Sequence, residues 1–339
     1  MPWLCDNTYA QSRGQSLADV LAKQGIDPGH RPGGRDRPRQ FVHVVNPWAA
    51  AAGSLAAQTQ ALTFETLHQA LYFAGVHTRR APDAGPERDL AVGGDAAGTT
   101  RRFEVVAAAL AGDQAFAQQY FRRVVALPRS ILDLRLFQVA RTLPLVFDLV
   151  DAGLATVPAA DYLIYTNVDI CVTPGFYLAI DGLIDLGFDG LLINRRTIDT
   201  LGLDPALAPL MAGDLGRRHE GYDCLVFSRR AAVRFRRTTA CIGSGGVMRS
   251  LLYNMVAHCE RLLILTDAHF TWHVGDDKAW RRPELQDYID HNWDAATGLL
   301  RELAVGHRDR LRDFCTNNRE RLRVNDDGSV ELRARAGTA

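Results

Sequence analysis

The chain has 339 residues, of which 47% are hydrophobic and 23% charged. That balance suits a folded globular protein and excludes wholesale disorder. Lysine plus arginine and aspartate plus glutamate both number 39, so the formal net charge is zero, whereas a protein built to grip a nucleic-acid backbone carries a basic surplus. A chain of this length forms one large domain or two small ones and buries enough surface to fold without a disulfide or metal staple.

The cysteines, Cys5, Cys171, Cys224, Cys241, Cys259 and Cys315, form no CxxC pair, so neither a zinc ribbon nor a thioredoxin-type centre is expected. Scattered, reduced thiols fit a cytoplasmic protein. The first residues lack the charged-then-apolar pattern of a signal peptide. The longest apolar stretch, near Leu143 to Tyr165, is broken by Asp148, Asp151 and Asp161, so no transmembrane segment is expected.

Residues 1–40 are polar, with Pro, Gly and Arg crowded between Asp27 and Gln40, and are expected to be a flexible arm. The first strand is Phe41–Val45, closed by Asn46-Pro47. A helix follows, capped by Ser54, running to Phe73 and stopped by Gly75. After a Gly/Ala/Asp-rich loop, helices are expected over about 102–111, 114–124 and 135–149, the last interrupted by Pro144. Tyr162–Tyr165 reads as a buried strand, ending in Thr166-Asn167-Val168-Asp169. A helix over about 174–186 is stopped by Gly187. Gly190–Ile193, followed by Asn194-Arg195-Arg196, is the next strand. Cys224–Phe227 is another, entered through a turn at 219–223. A helix over 246–259 and a strand at Leu262–Leu265 follow. From Pro283 to Leu303 the pattern is helical again, and the charged tail after Asn317 is expected to fray. Strands alternating with helices give an α/β fold with a mixed central sheet and helices on both faces. The chain divides into the arm, a core domain at 41–282 and a C-terminal helical extension with its tail at 283–339.

In an open α/β sheet, ligands bind beyond the carboxyl ends of the strands. Asn167-Val168-Asp169 places two oxygen-bearing side chains at such an end. A carboxylate there can hold a hard divalent cation that also touches a diphosphate, although the same spacing suits an Asx-turn or a helix cap. In Asp267–Trp280, a continuing strand would put Asp267, His269, Thr271 and His273 on one face. Imidazole suits a borderline metal such as manganese, and an ammonium meets a phosphate as a point charge. The carboxylates of Glu220 and Asp223 could activate an acceptor hydroxyl, with Asp223 the better held of the two. Gly243-Ser244-Gly245-Gly246 precedes a helix and either offers N–H groups to a phosphate or simply enters the helix with Ser244 as cap. The loop Gly93–Gly98 is read as solvent-exposed.

These motifs resemble those of a known group of enzymes. Tyr165-Thr166-Asn167-Val168-Asp169 resembles the acidic DxD-type motif of glycosyltransferases with the A-type, nucleotide-diphospho-sugar transferase fold. His273-Val274-Gly275-Asp276-Asp277-Lys278-Ala279-Trp280 is similar to the HxxGxxKPW signature of family 8 retaining glycosyltransferases. This chain has one residue fewer between His and Gly, Ala279 stands for the proline, and Asn167 stands for the first acid. The resemblance implies a Rossmann-like A-type fold and transfer of a sugar from a nucleoside-diphosphate sugar to an acceptor hydroxyl of a glycan, lipid or small molecule. It implies Asp169 and His273 as ligands of Mn2+ or Mg2+, with Gly275 and Lys278 against the donor diphosphate. Asn46, Trp48, Asn167, Arg195 and Arg196 complete the expected donor site, and Asp223 or Glu220 the catalytic position. A sugar-phosphate nucleotidyltransferase, or a binding protein that keeps the fold without the chemistry, are the rival readings.

Overall fold

A computed structural model describes residues 3–5, 39–76, 102–199, 204–275, 282–318 and 320–332, with backbone alone for 3–5, Arg102 and Glu220. In chain order the elements are β1 (Trp3–Cys5), β2 (Gln40–Val45), α1 (Leu55–Phe73), β3 (Arg102–Ala109), α2 (Gln114–Ala117), β4 (Val124–Ala126), α3 (Val146–Thr156), β5 (Tyr162–Thr166), β6 (Cys171–Val172) and α4 (Phe176–Asp185). Then come β7 (Gly190–Ile198), α5 (Ala208–Ala212), β8 (Arg217–Ser228), α6 (Arg229–Ala232), α7 (Met248–His258), β9 (Leu262–Leu265), β10 (Thr271–Val274), α8 (Gln286–Asn317), β11 (Leu322–Val324) and β12 (Val330–Leu332).

The central sheet runs β1-β9-β7-β8-β5-β2-β3-β4, with β10 paired to both β7 and β6. Every pair along this path is parallel except those of β8, which runs antiparallel to β5 and β7. The expected mixed α/β sheet is therefore present. Strand alternation divides the core between its faces. Val42 and Val44 of β2 pack with α3, α7 and α8, while Phe41 and Val45 pack with α1 and α4. His43, between them, is buried and has Tyr177 Oη and Thr166 Oγ1 each at 2.9 Å. Burial pushes its pKa down to about 3, so this is a neutral structural histidine.

Several sequence signals act as expected. Ser54 accepts from the Ala57 N–H at 3.2 Å and starts α1, and the helix ends before Gly75 at φ +80°. Gly187 at φ +91° follows α4. Other expectations are corrected. The stretch 102–111 is not a helix but β3, flanked by β2 and β4, because a strand buried on both faces shows no alternation to distinguish it from an alanine-rich helix. The stretch 114–124 holds only the short α2 before β4. In 135–149 the helix starts at Val146, after Pro144, and Arg135 at φ +55° ends the preceding 3-10 turn instead of opening a helix. Asn194, Arg195 and Arg196 lie inside β7, not after it. Residues 219–223 lie inside β8, because the sheet continues past the apolar run that marked its core. The segment after β9 does not continue as one strand to His273; it breaks and restarts as β10 on another edge. Ser244 caps no helix: α7 begins at Met248. Within the region after Asn317, Leu322–Leu332 forms the β11–β12 hairpin, with Leu322 and Val324 buried against α8, and 333–339 lie outside the described residues. Backbone pairing of Trp3–Cys5 with Leu262–Ile264 brings part of the expected arm into the sheet. The Gly93–Gly98 loop lies outside the described residues.

One close approach fixes how α3 sits on the sheet. A Cβ at Gly153 would lie 2.2 Å from Val44 Cγ2, whereas one at Gly298 in α8 would meet nothing within 4 Å. Overpacking costs ~1–3 kcal/mol, more than the ~1 kcal/mol an alanine gains over glycine within a helix. Gly153→Ala should therefore lower the urea midpoint, and Gly298→Ala should raise it by the equivalent of roughly 0.5–1 kcal/mol. Equal shifts of the same sign would show that α3 does not seat on Val44.

Candidate active site

The connection from β2 crosses to β3 on one side, while β5 lies on the other. A crevice opens where strand order reverses in this way, beyond the carboxyl ends of both strands. Asn46 and Trp48 follow β2 there, and Asn167 and Asp169 follow β5.

Strand register assembles the polar cluster. The antiparallel β5–β8 pairing sets Thr166 opposite Cys224. One step on, Asn167 faces Asp223, and its Nδ2 donates to Asp223 Oδ1 at 3.2 Å. Asn167 Oδ1 accepts from Tyr165 Oη at 3.0 Å, which fixes the amide. The antiparallel β6–β10 pairing sets Trp272 opposite Cys171. This places His273 diagonal to Asp169, with Nε2 3.3 Å from Oδ2. Between the two pairs stands Arg195 of β7. Its Nε lies 3.4 Å from Asp223 Oδ2 and its Nη2 lies 3.3 Å from His219 Nε2.

His219 and Asp223 project from β8 four residues apart, with Gly221 between them. A Cβ at Gly221 would lie 2.9 Å from His219 Cε1 and 3.6 Å from Asp223 Oδ2. Its absence lets the imidazole fold over the strand, where Nδ1 accepts from the Gly221 N–H at 2.9 Å. His219 was not among the expected site residues. Period-two spacing with Asp223 is the signal that would have found it, had the segment been read as strand.

The Asp169–His273 contact shifts both groups. Burial pulls the His273 pKa down, but the hydrogen bond and charge of Asp169 outweigh it, and the net position lies above the ordinary 6.5. Burial pushes Asp169 up, but the His273 bond and charge, with Arg195, bring it below the ordinary 3.8. His273 Nδ1 donates to the Gly275 carbonyl at 2.8 Å, which leaves Nε2 on the side of Asp169. In metal sites this kind of outer hydrogen bond orients an imidazole toward its cation.

These residues fit a divalent cation with a small protein donor set. Asp169 Oδ1 is buried without a hydrogen-bond partner. Two adjacent ligands of an octahedral ion at about 2.1 Å lie roughly 3 Å apart, close to the 3.3 Å observed between Asp169 Oδ2 and His273 Nε2. Among the described residues no group of three or more His, Cys, Asp or Glu side chains gathers as a metal cage. The fit is therefore to the mode in which one or two protein ligands are completed by water and substrate phosphates.

The remaining expected residues divide. Asn46 is buried, and its Nδ2 donates to the Ala108 carbonyl at 2.6 Å, tying β2 to β3. Trp48 is exposed on the same rim, its backbone bonded to the Gln60 amide. Arg196 does not join the cluster: its guanidinium holds the Leu215 and Gly216 carbonyls and Asp267. The side chain of Glu220 and all of Lys278 lie outside what is described.

Among solved structures, an S. aureus TarS fragment (1-349) in complex with UDP-GlcNAc is 12% identical, with a TM-score of 0.44 over 82% of this chain and 72% of that one. A second S. aureus TarS structure is also 12% identical, with a TM-score of 0.44, and there the match spans only 43% of that chain. A candidate nucleotide-diphospho-sugar transferase from Desulfovibrio desulfuricans G20 is 10% identical, with a TM-score of 0.32 over 82% of this chain and 98% of that one. No family model and no curated protein sequence matches the chain. No described helix is long and apolar enough to cross a membrane.

The balance at His273 is directly testable. In metal-free protein its ring should titrate above 6.5 by NMR. In Asp169→Asn, burial and the Arg195 charge remain without the opposing carboxylate, so the pKa should fall below 6.5. An unchanged titration would mean that the pair is not formed in solution.

Proposed function

We propose that the protein is a glycosyltransferase that uses a nucleoside-diphosphate sugar and a divalent cation, Mn2+ or Mg2+. The observation that carries this reading is the meeting of Asp169 and His273 at 3.3 Å beyond the carboxyl end of β5. The order of the two motifs along the chain, and their resemblance to glycosyltransferase motifs, agree with it.

Transfer breaks the bond between the anomeric carbon and a diphosphate oxygen, whose electron pair leaves with the nucleoside diphosphate. The difficulty lies in that growing negative charge. A divalent cation bound here supplies electrostatic stabilisation of the leaving group. Asp169 and His273 would hold it, and the Gly275 carbonyl keeps Nε2 of the imidazole on the side of Asp169. Arg195 adds a fixed positive charge beside the two carboxylates. Asp223 accepts from Asn167 on one oxygen, and its other oxygen lies 3.4 Å from the Arg195 Nε. It takes the proton of the acceptor hydroxyl as the new bond to the anomeric carbon forms. Trp48, exposed on the β2 rim, offers a ring to the nucleoside. Lys278 is assigned to the diphosphate by its place in the motif.

A base at Asp223 fits inversion at the anomeric carbon, whereas the family 8-like motif fits retention; the anomer of the product decides between them. One observation favours the binding-only alternative. Asn167, at the first DxD position, is committed to Tyr165 and Asp223 and brings no second carboxylate to a cation.

Calorimetry with UDP, paired with hydrolysis of UDP-glucose, UDP-galactose and UDP-GlcNAc, tests the proposal. UDP should bind at least tenfold more tightly with Mn2+ than without it, and Asp169→Ala should abolish that difference. The Mn2+ effect should strengthen as pH rises through the raised His273 pKa, because proton and cation compete for Nε2. Slow metal-dependent release of UDP from one of these donors is expected. UDP binding without any donor turnover would favour the binding protein, and UDP binding indifferent to metal and to Asp169→Ala would contradict the mechanism.

A further inference from the structure

The long helix α8 is two helices joined at a bend. His307, just after Gly306, has a non-helical backbone at φ −134° and ψ 26°. The bend falls where α8 passes the end of α7. There the His307 ring meets the His258 ring edge-on, with centroids 5.0 Å apart, and His258 also stacks on Phe235 at 6.2 Å. Two guanidinium groups pin the end of α7. Arg234, after α6, donates to the His258 carbonyl, and Arg310 of α8 donates to the Cys259 carbonyl. Beyond the bend, Leu311, Phe314 and Cys315 enter the core, and the β11–β12 hairpin follows.

The two rings sit among cations. Facing His258 are His307 and Arg310 from α8, and Arg234 and Arg236 from the chain after α6. The carboxylates of the neighbouring chain are engaged elsewhere. Asp189, which bears on Arg310, accepts from the Glu260 and Arg261 N–H groups at 3.0 and 2.7 Å. Glu260 pairs with Arg230, and Asp309 pairs with Arg308 and Arg312. His258 Nε2 is buried and has no hydrogen-bond partner among the described residues. Protonation would therefore set an unbonded N–H and a new positive charge beside three guanidinium groups. Burial first, then His307 and the arginines, bring the His258 pKa down to about 4. Burial, Arg310 and Arg234 bring that of His307 below the ordinary 6.5.

We propose that the His258–His307 contact is an acid-sensitive latch, and that protonating the two rings frees the chain from His307 onward, the second half of α8 with its hairpin, from the end of α7. Both rings take up a proton more readily once apart. The closed form is therefore fully favoured above pH 6.5 and loses ground as pH falls from there toward about 4. Release does not stay local. Tyr222 Oη donates to Asn318 Oδ1 at 3.2 Å, and Glu320 is held by Arg249 at 3.1 Å and by Tyr253 Oη at 3.3 Å. Tyr222 adjoins Asp223, so opening the latch removes a support of the strand that carries the proposed base. The latch itself is independent of the transferase reading.

Two buried thiols report on it. Cys315 lies in the segment to be released and is 2% exposed; Cys224 lies in the central strand β8 and is 0% exposed. The test labels the full chain with 4,4′-dithiodipyridine, which reacts with thiols in mild acid, and locates the label by mass spectrometry. Rates are divided by that of a thiol in a short peptide at the same pH. From pH 7 to pH 5, labelling of Cys315 should speed up by about tenfold or more while Cys224 stays protected. In His258→Gln that rise should shrink to a few-fold, because the ring that titrates is gone. If His258→Gln does not fold by circular dichroism, His307→Gln is read in its place, and if neither folds the order of labelling in the unaltered chain decides. Cys315 reacting ahead of Cys224 supports the latch. Labelling of both thiols in one common transition, no rise at Cys315, or a rise that the glutamine variants leave unchanged overturns it.

Discussion

The site depends on one contact between two short strands. β6 has only two residues and β10 four, yet their antiparallel pairing sets where Asp169 and His273 fall. β10 is fixed from its other side by parallel pairing with β7, where Thr271 Oγ1 also donates to the Asn194 carbonyl at 2.8 Å. A carboxylate and an imidazole partly withdrawn from water would each lose their charge if alone. Together they shift in opposite directions, each holding the other charged in the absence of metal. In the metal-free protein the pair contributes to stability from above the depressed Asp169 pKa up to the raised His273 pKa, and that contribution fades beyond either limit. A pair this exposed on the aspartate side contributes less than about 1 kcal/mol to folding. Its significance is therefore in what it can hold, not in how much it stabilises.

β8 is the second organising element. As the strand antiparallel to both its neighbours, it begins at the same edge at which β5 and β7 end. One strand thereby presents Asp223 to Asn167 and His219 to Arg195. Gly221 is what makes the arrangement compact, since any side chain there would displace the His219 ring.

Much of this was legible in the sequence, and the exceptions have physical causes. Ser54, Gly75 and Gly187 mark helix ends through local geometry, which a sequence records directly. The β2 and β5 cores were visible as bounded runs of β-branched and aromatic residues. β3 was not, because Val105-Val106-Ala107-Ala108-Ala109 carries neither alternation nor a turn signal, and its neighbours in the sheet decide its conformation. The extent of β7 and β8 was hidden for a related reason. Their polar ends, Asn194 to Ile198 and Arg217 to Asp223, read as loops until pairing between the two strands is known. Asp169 was singled out because it follows a buried strand and His273 because of its place in the family 8-like motif, and the structure brings the two within 3.3 Å. Arg196 was misplaced because sequence adjacency to Arg195 says nothing about which side of a strand a guanidinium takes.

The central claim is that Asp169 and His273 share one cation. It is tested most directly by anomalous diffraction from crystals of the full chain grown with Mn2+ and UDP. The account predicts a manganese peak about 2.1 Å from both Asp169 and His273 side chains, with diphosphate oxygens completing its shell. A nucleotide bound in the crevice with no manganese at that position, and with the Asp169–His273 contact intact, would contradict it.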